Sequence, residues 1–453
     1  MKKILLLILI AFLITVAALS ISIYISESPQ QDTLTEAQKV GPTPTLPKPE
    51  HHLIPTVKIA KAIGWPNGMT PIAAAGLKVN AFAKGLKHPR WIYRLPNGDV
   101  LVAESNAPAR SRSNKNLSLE SKVKRFVAKI LKRQAGAGVA SPNTITLLRD
   151  TTGRGVADKR TVFLEHLNSP FGMALVGHYF YVANADAIIR YPYTTGETSI
   201  KAPGVKVVDL MGKTTLNHHW TKSLVPSHDG AYLYVGIGSN SNIGENGLDE
   251  EVGRAAIWKI NRLTGQHHIF ASGLRNPVGL AWNPQTHALW AVVNERDDLG
   301  NDLVPDYLTS VKEGAFYGWP YSYYGQHIDL RVQPQKPALV ATALSPDYAL
   351  GSHVASLGLT FYTDHLLPKK YFEGAFIGEH GSWNRNPATG YKVVFIKFVN
   401  GKPVGLPQHI LTGFLSPQGD AYGRPVGVTT DKKGALLVAD DVGNIIWRVS
   451  PLK

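Results

Sequence analysis

A chain of 453 residues with 44% apolar side chains can bury a large core, and 42 glycines with 30 prolines favour many short strands and turns over long helices. Cysteine is absent, which excludes a disulfide framework, a thiolate metal site and a cysteine nucleophile. The net charge is +15, and about half of that excess sits in one short segment.

At the N-terminus, Lys2 and Lys3 precede the uncharged run ILLLILIAFLITVAALSISIYI, which ends at Ile25. A signal peptide needs an apolar core of ~7–15 residues, and a membrane-spanning helix needs ~20. This run has the length of a spanning helix and no clean small-x-small cleavage site. Residues 1–26 are therefore expected to be a membrane anchor, with a cleaved signal peptide as the alternative. The two lysines stay on the cytoplasmic side, which puts the rest of the chain in a periplasmic or extracytoplasmic space, held at the inner membrane. Residues 27–75 read as a linker, opening on the polar, proline-rich stretch SPQQDTLTEAQKVGPTPTLPKPE.

From Gly76 onward one pattern recurs: an apolar strand, a turn with Gly or Asp-Gly, a second strand, then a polar cluster. HPRWIYRLPNGDVLVAESN starts at His88 and SPFGMALVGHYFYVANAD at Ser169. TKSLVPSHDGAYLYVGIGSNS follows from Thr221 and NPVGLAWNPQTHALWAVVNERDD from Asn276. ASLGLTFYTDHLLPKKYFEGAFIGEHGS from Ala355 and RPVGVTTDKKGALLVADDVG from Arg424 complete the series. A spacing of roughly 50–80 residues leaves room for loops around a four-stranded unit. Such a unit cannot bury both of its faces alone, and radial packing of six copies solves that. The expected fold is all-β, a six-bladed β-propeller over residues 76–453, in preference to a pair of β-sandwiches.

Between the first two copies, RSRSNKNLSLESKVKRFVAKILKR (residues 110–133) carries nine Lys/Arg against one Glu. Leu119, Val123, Phe126, Val127, Ile130 and Leu131 recur in it at helical spacing. A basic helical insertion over about 108–135 is expected, either as a solvated face or in contact with an anionic membrane surface. No basic–aromatic pattern suits nucleic-acid bases elsewhere, so no nucleic-acid partner is expected. Just after it, RDTTGRGVAD (149–158) has the outline of a calcium loop, but Thr152 and Arg154 stand where carboxylates are needed, leaving only Asp150 and Asp158.

His218 and His219 precede the third copy. Read as a strand start, alternation points the two rings to opposite faces, which argues against a paired metal site and leaves one of them to serve. A lone histidine there is more often structural than catalytic. GIGSNSNIGENG lacks the GxGxxG spacing and is followed by no helix, so it is a blade-end loop and not a dinucleotide cradle. Because each polar cluster ends the same strand of its copy, His219, Arg275, Glu295, Arg385 and Arg424 should converge at the mouth of the channel. Several arginines meeting there suit a polycarboxylate, since guanidinium pairs with carboxylate through two bonds.

The stretches GHYFYVANADAIIRYPY, NHHWTKSL, LYVGIGSNSN, SGLRNPVGLAWNP, EHGSWNRNP and GRPVGV, in this order, resemble the glucose/sorbosone dehydrogenase family of pyrroloquinoline quinone (PQQ) proteins, and within it the L-sorbosone dehydrogenase-like group. The resemblance implies oxidation of a sugar, sugar aldehyde or polyol, with PQQ and a calcium ion at the channel mouth. It implies His219 as general base and Arg275, with Asn276 beside it, at the cofactor, where Arg424 matches the arginine opening the last copy. Arg385 and Arg424 are expected to hold the cofactor's carboxylates. Calcium is expected in the loop of Glu295, Arg296 and Asp297, held partly by backbone carbonyls. Electrons are expected to pass to a membrane quinone or a cytochrome. Three departures stand out: NERDD lacks the Gly-Pro of soluble glucose dehydrogenases, Lys222 stands where arginine is commoner, and the basic segment 110–133 is an insertion. A non-catalytic propeller binding a glycan or other ligand, and a calcium-dependent lactonase, are the alternatives on the same fold.

Overall fold

The computed structural model describes residues 34–50, 56, 58–108, 134–136, 138–211 and 214–452. The expected anchor over 1–26 and nearly all of the expected basic insertion over 108–135 lie outside the described residues.

The described residues form six antiparallel blades of a β-propeller. Blade 1 consists of Pro89–Arg94, Val100–Glu104, Thr144–Arg149 and Lys159–Leu164. Blade 2 is Gly172–Val176, Tyr179–Ala183, Ala187–Pro192 and Val205–Asp209. Blade 3 is Leu224–Pro226, Tyr232–Ile237, Ala256–Asn261 and His267–Ser272. Blade 4 is Asn276–Trp282, Leu289–Asn294, Pro305–Val311 and Tyr348–Ser352. Blade 5 is Ser356–Phe361, Gly374–Glu379, Lys392–Val399 and Lys402–Thr412. Blade 6 takes Pro425–Thr430, Leu436–Asp440 and Ile445–Pro451 from the C-terminus and its outer strand, Leu77–Lys84, from the other end of the domain. That last pairing runs from Leu77 opposite Pro451 to Lys84 opposite Ile445. It closes the ring and removes an open sheet edge.

The six repeated hairpins are the six inner hairpins. Their second strands are buried on both faces, as VLVAE in blade 1 and LLVAD in blade 6 show, so they read as continuous apolar runs without alternation. The core lies between blades: Trp91 and Phe171 meet between blades 1 and 2, and Trp290, Phe361 and Phe398 between blades 4 and 5. Glycine lets the innermost strands approach backbone to backbone. A Cβ on Gly358 of blade 5 would stand 2.2 Å from the Val426 carbonyl of blade 6, and one on Gly427 would stand 2.9 Å from the Arg90 carbonyl of blade 1.

Part of the stretch read as a linker packs against the propeller. Gly41 pairs with Ala349 of blade 4, and Lys58 donates its N–H to the Trp383 carbonyl at 2.9 Å. Ala62 bridges to Ala421. Trp65 then sits among Phe414, Tyr422 and Trp447, with its indole N–H on the Asp440 carboxylate at 2.6 Å. This strap finds hydrogen-bond partners on blades 4 and 5 and an aromatic socket beside blade 6. It lies on the face where the polar clusters gather.

Candidate active site

Ahead of blade 3, His218 and His219 lie in a bend, and the strand begins only at Leu224. The expected alternation therefore does not apply: the two rings meet edge to face with centroids 5.0 Å apart. The His219 ring is fixed by hydrogen bonds. The His219 Nδ1 is 2.7 Å from the Ser239 carbonyl and 3.1 Å from the Ser239 hydroxyl, whose own proton goes to the Ser241 carbonyl. Both neighbours of Nδ1 therefore accept, so Nδ1 carries the ring proton and Nε2 presents a lone pair. Desolvation, with Arg275 and His218 nearby, holds the ring well below the ordinary histidine pKa, so it is neutral at pH 7.

The bend is fixed from beneath. Lys222, fully buried, donates to the His219 carbonyl at 3.0 Å and to the Asn217 side chain at 3.2 Å, and Arg254 reaches the same two oxygens at 3.2 and 3.3 Å. A hydrogen-bond donor at position 222 thus serves the bend, a task lysine and arginine can share. The space between His219 and Asn276 is held open by Gly238, where a Cβ would stand 2.2 Å from the Asn276 Oδ1 and 2.6 Å from the His219 Cβ.

Arg275 lies next to this. Its guanidinium donates to the Glu295 carbonyl at 2.7 Å, to the Asn242 Oδ1 at 3.0 Å and to the Asp297 carboxylate at 3.3 Å. Asn242, from the glycine-rich loop, also accepts the Asp297 N–H at 2.9 Å and so clips the blade 3 loop to the blade 4 loop. Asp297 divides its carboxylate between Arg275 and His353, whose Nδ1 is 3.3 Å away and whose Nε2 faces the Gly300 carbonyl at 3.0 Å. Burial alone would raise the Asp297 pKa, but the His353 and Arg275 contacts outweigh it and keep the carboxylate ionised.

The loop expected to hold calcium is mostly committed to protein donors. The Glu295 carboxylate accepts the N–H groups of Arg296 at 3.0 Å and Tyr324 at 3.3 Å, and burial raises its pKa to about 8. Arg296 is turned inward, 1% exposed, with its guanidinium 3.2 Å from Asp329. Among the described residues no group of three His, Asp or Glu is arranged to hold a metal. One residue past the expected ligands, Asp298 keeps a buried Oδ1 with no donor among the described residues, and desolvation and then Asp297 raise its pKa to about 6. A hard cation fits that oxygen better than it fits the Glu295 carboxylate. In the other sequence outline of a calcium loop, Asp150 and Asp158 accept the loop's own N–H groups.

A second cluster, not evident from the sequence, forms on the side of blades 6 and 1. Asp441 accepts Arg90 in a short contact and His380 Nε2 at 2.9 Å, with His88 at 3.6 Å. Arg90 also lies 5.7 Å from the centre of the Trp220 ring, the residue after His219, which ties this cluster to the first. Burial works against the Asp441 carboxylate, but His380, His88 and Arg90 hold it far below the usual range, while burial lowers His380 to about 4. The signal lay in polar residues ending the second strands: His380 in EHGSWNRNP and Asp441 in LLVADDVG.

The two remaining expected arginines go elsewhere. Arg424 stacks over Tyr391 at 4.8 Å and donates to the strap's Ala60 carbonyl at 3.1 Å. Arg385 pairs with Asp302 at 2.7 Å and reaches the Asn301 carbonyl. His219, Arg275, Asn276, Glu295 and Asp297 are thus brought together, Arg424 lies with the second cluster through His380, and Arg385 is engaged at the blade 4 loop.

A family model described as TrAA12-like matches residues 129–311 and 338–451. An uncharacterized protein of Borreliella burgdorferi is 30% identical over 294 residues, which cover 62% of this chain and 76% of that protein. A pyrroloquinoline quinone-dependent sugar dehydrogenase of Hypocrea jecorina is 23% identical over 411 residues, 82% of this chain and 87% of that protein. The calcium structure of a Trichoderma reesei carbohydrate-active enzyme of family AA12 superposes with a TM-score of 0.66 at 20% identity, over 87% of this chain and 99% of that one.

Proposed function

Because the chain belongs to the TrAA12-like family, we propose that it is a PQQ-dependent dehydrogenase that oxidises a sugar, sugar aldehyde or polyol. One observation carries the reading: a neutral histidine with its Nδ1 proton pinned to a carbonyl and its Nε2 lone pair left over, beside a buried arginine.

The residues present suit a cofactor bearing carboxylates and a quinone. Arg90 Nε and Arg424 Nε are buried donors without an acceptor among the described residues, and Asn276 Oδ1 is a buried acceptor without a donor. When bound, PQQ would supply a two-electron acceptor for hydride from the substrate carbon. His219 Nε2 takes the hydroxyl proton of that same carbon, so one hydride and one proton leave together and a C–OH becomes C=O. Holding Nδ1 on Ser239 fixes the tautomer, and general-base assistance of this kind is worth about 10²–10⁴-fold. Arg275 would offer a buried positive charge to the bound quinone, and its position is set by Asn242, Glu295 and Asp297. Arg424 and Arg90 would hold carboxylates. Calcium would be held at Asp298, one residue beyond the loop of Glu295, Arg296 and Asp297, and would supply Lewis-acid polarisation there. A membrane quinone or a cytochrome is the proposed electron acceptor, and an extracytoplasmic location is proposed with it.

The test is to load the full chain with PQQ and calcium and follow dye reduction with a panel of sugars and polyols, alongside His219→Gln. Saturable cofactor binding with turnover that depends on His219 is the expected result. A folded chain that takes no PQQ would overturn the proposal.

A further inference from the structure

Among the nine tryptophans of the chain, Trp383 alone is exposed, at 47%. The others are buried or half-buried, and the indole N–H groups of Trp65, Trp258, Trp282, Trp319 and Trp447 each donate to a protein oxygen. Isolated exposed apolar residues are ordinary on protein surfaces, so exposure alone decides nothing. The backbone beneath this one does.

Residues 381–386 are buried apart from Trp383. The Trp383 carbonyl accepts the Lys58 N–H of the strap at 2.9 Å, and the Asn384 side-chain amide donates to the Thr56 carbonyl. On the other side, the Asn384 Oδ1 accepts the Asp298 N–H at 3.0 Å. Arg385 is bound to Asp302, and Asn301 reaches the Asn386 carbonyl at 2.7 Å. Below, Gly381 (φ +105°) lies against the Tyr391 ring, whose hydroxyl donates to the Ser382 carbonyl at 2.9 Å. The loop is clamped on every side, and only the indole is turned out. Its place is the rim of the site: Asp298 follows Asp297, which binds Arg275, and Arg275 stands beside His219.

We infer that Trp383 is a stacking platform for the ring face of a cyclic sugar at the mouth of the active site. The inference rests on the proposed function and narrows its substrate class to cyclic sugars over acyclic polyols. The C–H face of a sugar ring packs on an indole, and an indole on a fixed backbone loses little freedom when it does so. An acyclic polyol offers no such flat face. Trp383 would orient the substrate without touching the reacting atoms.

The experiment titrates the full chain, wild type, Trp383→Ala and Trp383→Phe, with a panel of hexopyranoses and their disaccharides and with sorbitol, reading tryptophan fluorescence. KM and kcat are measured in parallel on the PQQ-loaded enzyme. The expected result is a fluorescence change with ring sugars that Trp383→Ala removes, and a KM for those sugars raised about 3- to 10-fold with kcat within about twofold. Trp383→Phe should lie between wild type and Trp383→Ala, and sorbitol should respond equally in all three. The inference is overturned if no ring sugar of the panel binds the folded wild type, or if ring sugars bind Trp383→Ala as well as wild type. Absence of PQQ turnover with the fluorescence response intact would break the proposed function and leave the platform standing.

Discussion

Around Asp297 and around Asp441 a single carboxylate is shared by an arginine and a histidine, yet the two sides of the mouth are built differently. On the blade 3–4 side most partners are backbone carbonyls and the one amide of Asn242, so loops are fixed and the His219 Nε2 is left available. On the blade 6–1 side the bonds join side chains from blades 1, 5 and 6 around the Asp441 carboxylate. The first arrangement aims an atom. The second ties the ring together, and its loss should appear as stability before it appears as chemistry.

Substitutions can break that contrast. His219→Gln should lower kcat/KM of the loaded enzyme by about 10²–10⁴-fold with an unchanged melting temperature. Asp441→Ala should act first on stability, costing about 3–5 kcal/mol in urea unfolding because buried Arg90 is left uncompensated. Replacing both residues of that pair with leucine should recover part of the loss. Gly358→Ala, which forces a methyl against the Val426 carbonyl, should cost about 1–3 kcal/mol by the same measurement. Trp65→Phe removes one hydrogen bond to Asp440 and should cost about 1 kcal/mol, read most clearly as faster amide exchange over residues 58–65.

Titration sharpens the same comparison. The Asp441 pKa is depressed in the folded state, so its contribution to stability is full above the unfolded carboxylate value of about 3.9 and is lost as pH falls below it. Asp441→Asn should flatten that acid limb. His219 is likewise depressed, which means its imidazole stays neutral through the ordinary histidine range. The kcat/KM profile should therefore show no His219 limb between pH 7.5 and 6.

The fold was legible because the inner hairpin is written six times with the same turn and the same polar ending, and those hairpins are the six blade centres. His219 and Arg275 stand out in the sequence because short motifs surround them. Arg90, His380 and Asp441 were harder to read because their meeting depends on ring closure: Arg90 and Asp441 lie at opposite ends of the propeller sequence. The two histidines look like a strand start in the sequence, although the chain bends there to deliver the His219 carbonyl to Lys222 and Arg254. A proline-rich, polar stretch looks like a tether from composition alone. Trp65 and the Asp440 carboxylate turn its end into a strap, and nothing local in the sequence announces that pairing.

The central claim is that His219 Nε2 removes a proton in a quinone-linked oxidation. Anaerobic single-turnover absorbance of the PQQ-loaded full chain, mixed with a ring sugar shown to bind, tests it most directly. The account predicts rapid loss of the oxidised-cofactor absorbance in wild type and a rate at least about 100-fold slower in His219→Gln with equal cofactor loading. Equal rates in the two proteins would contradict it.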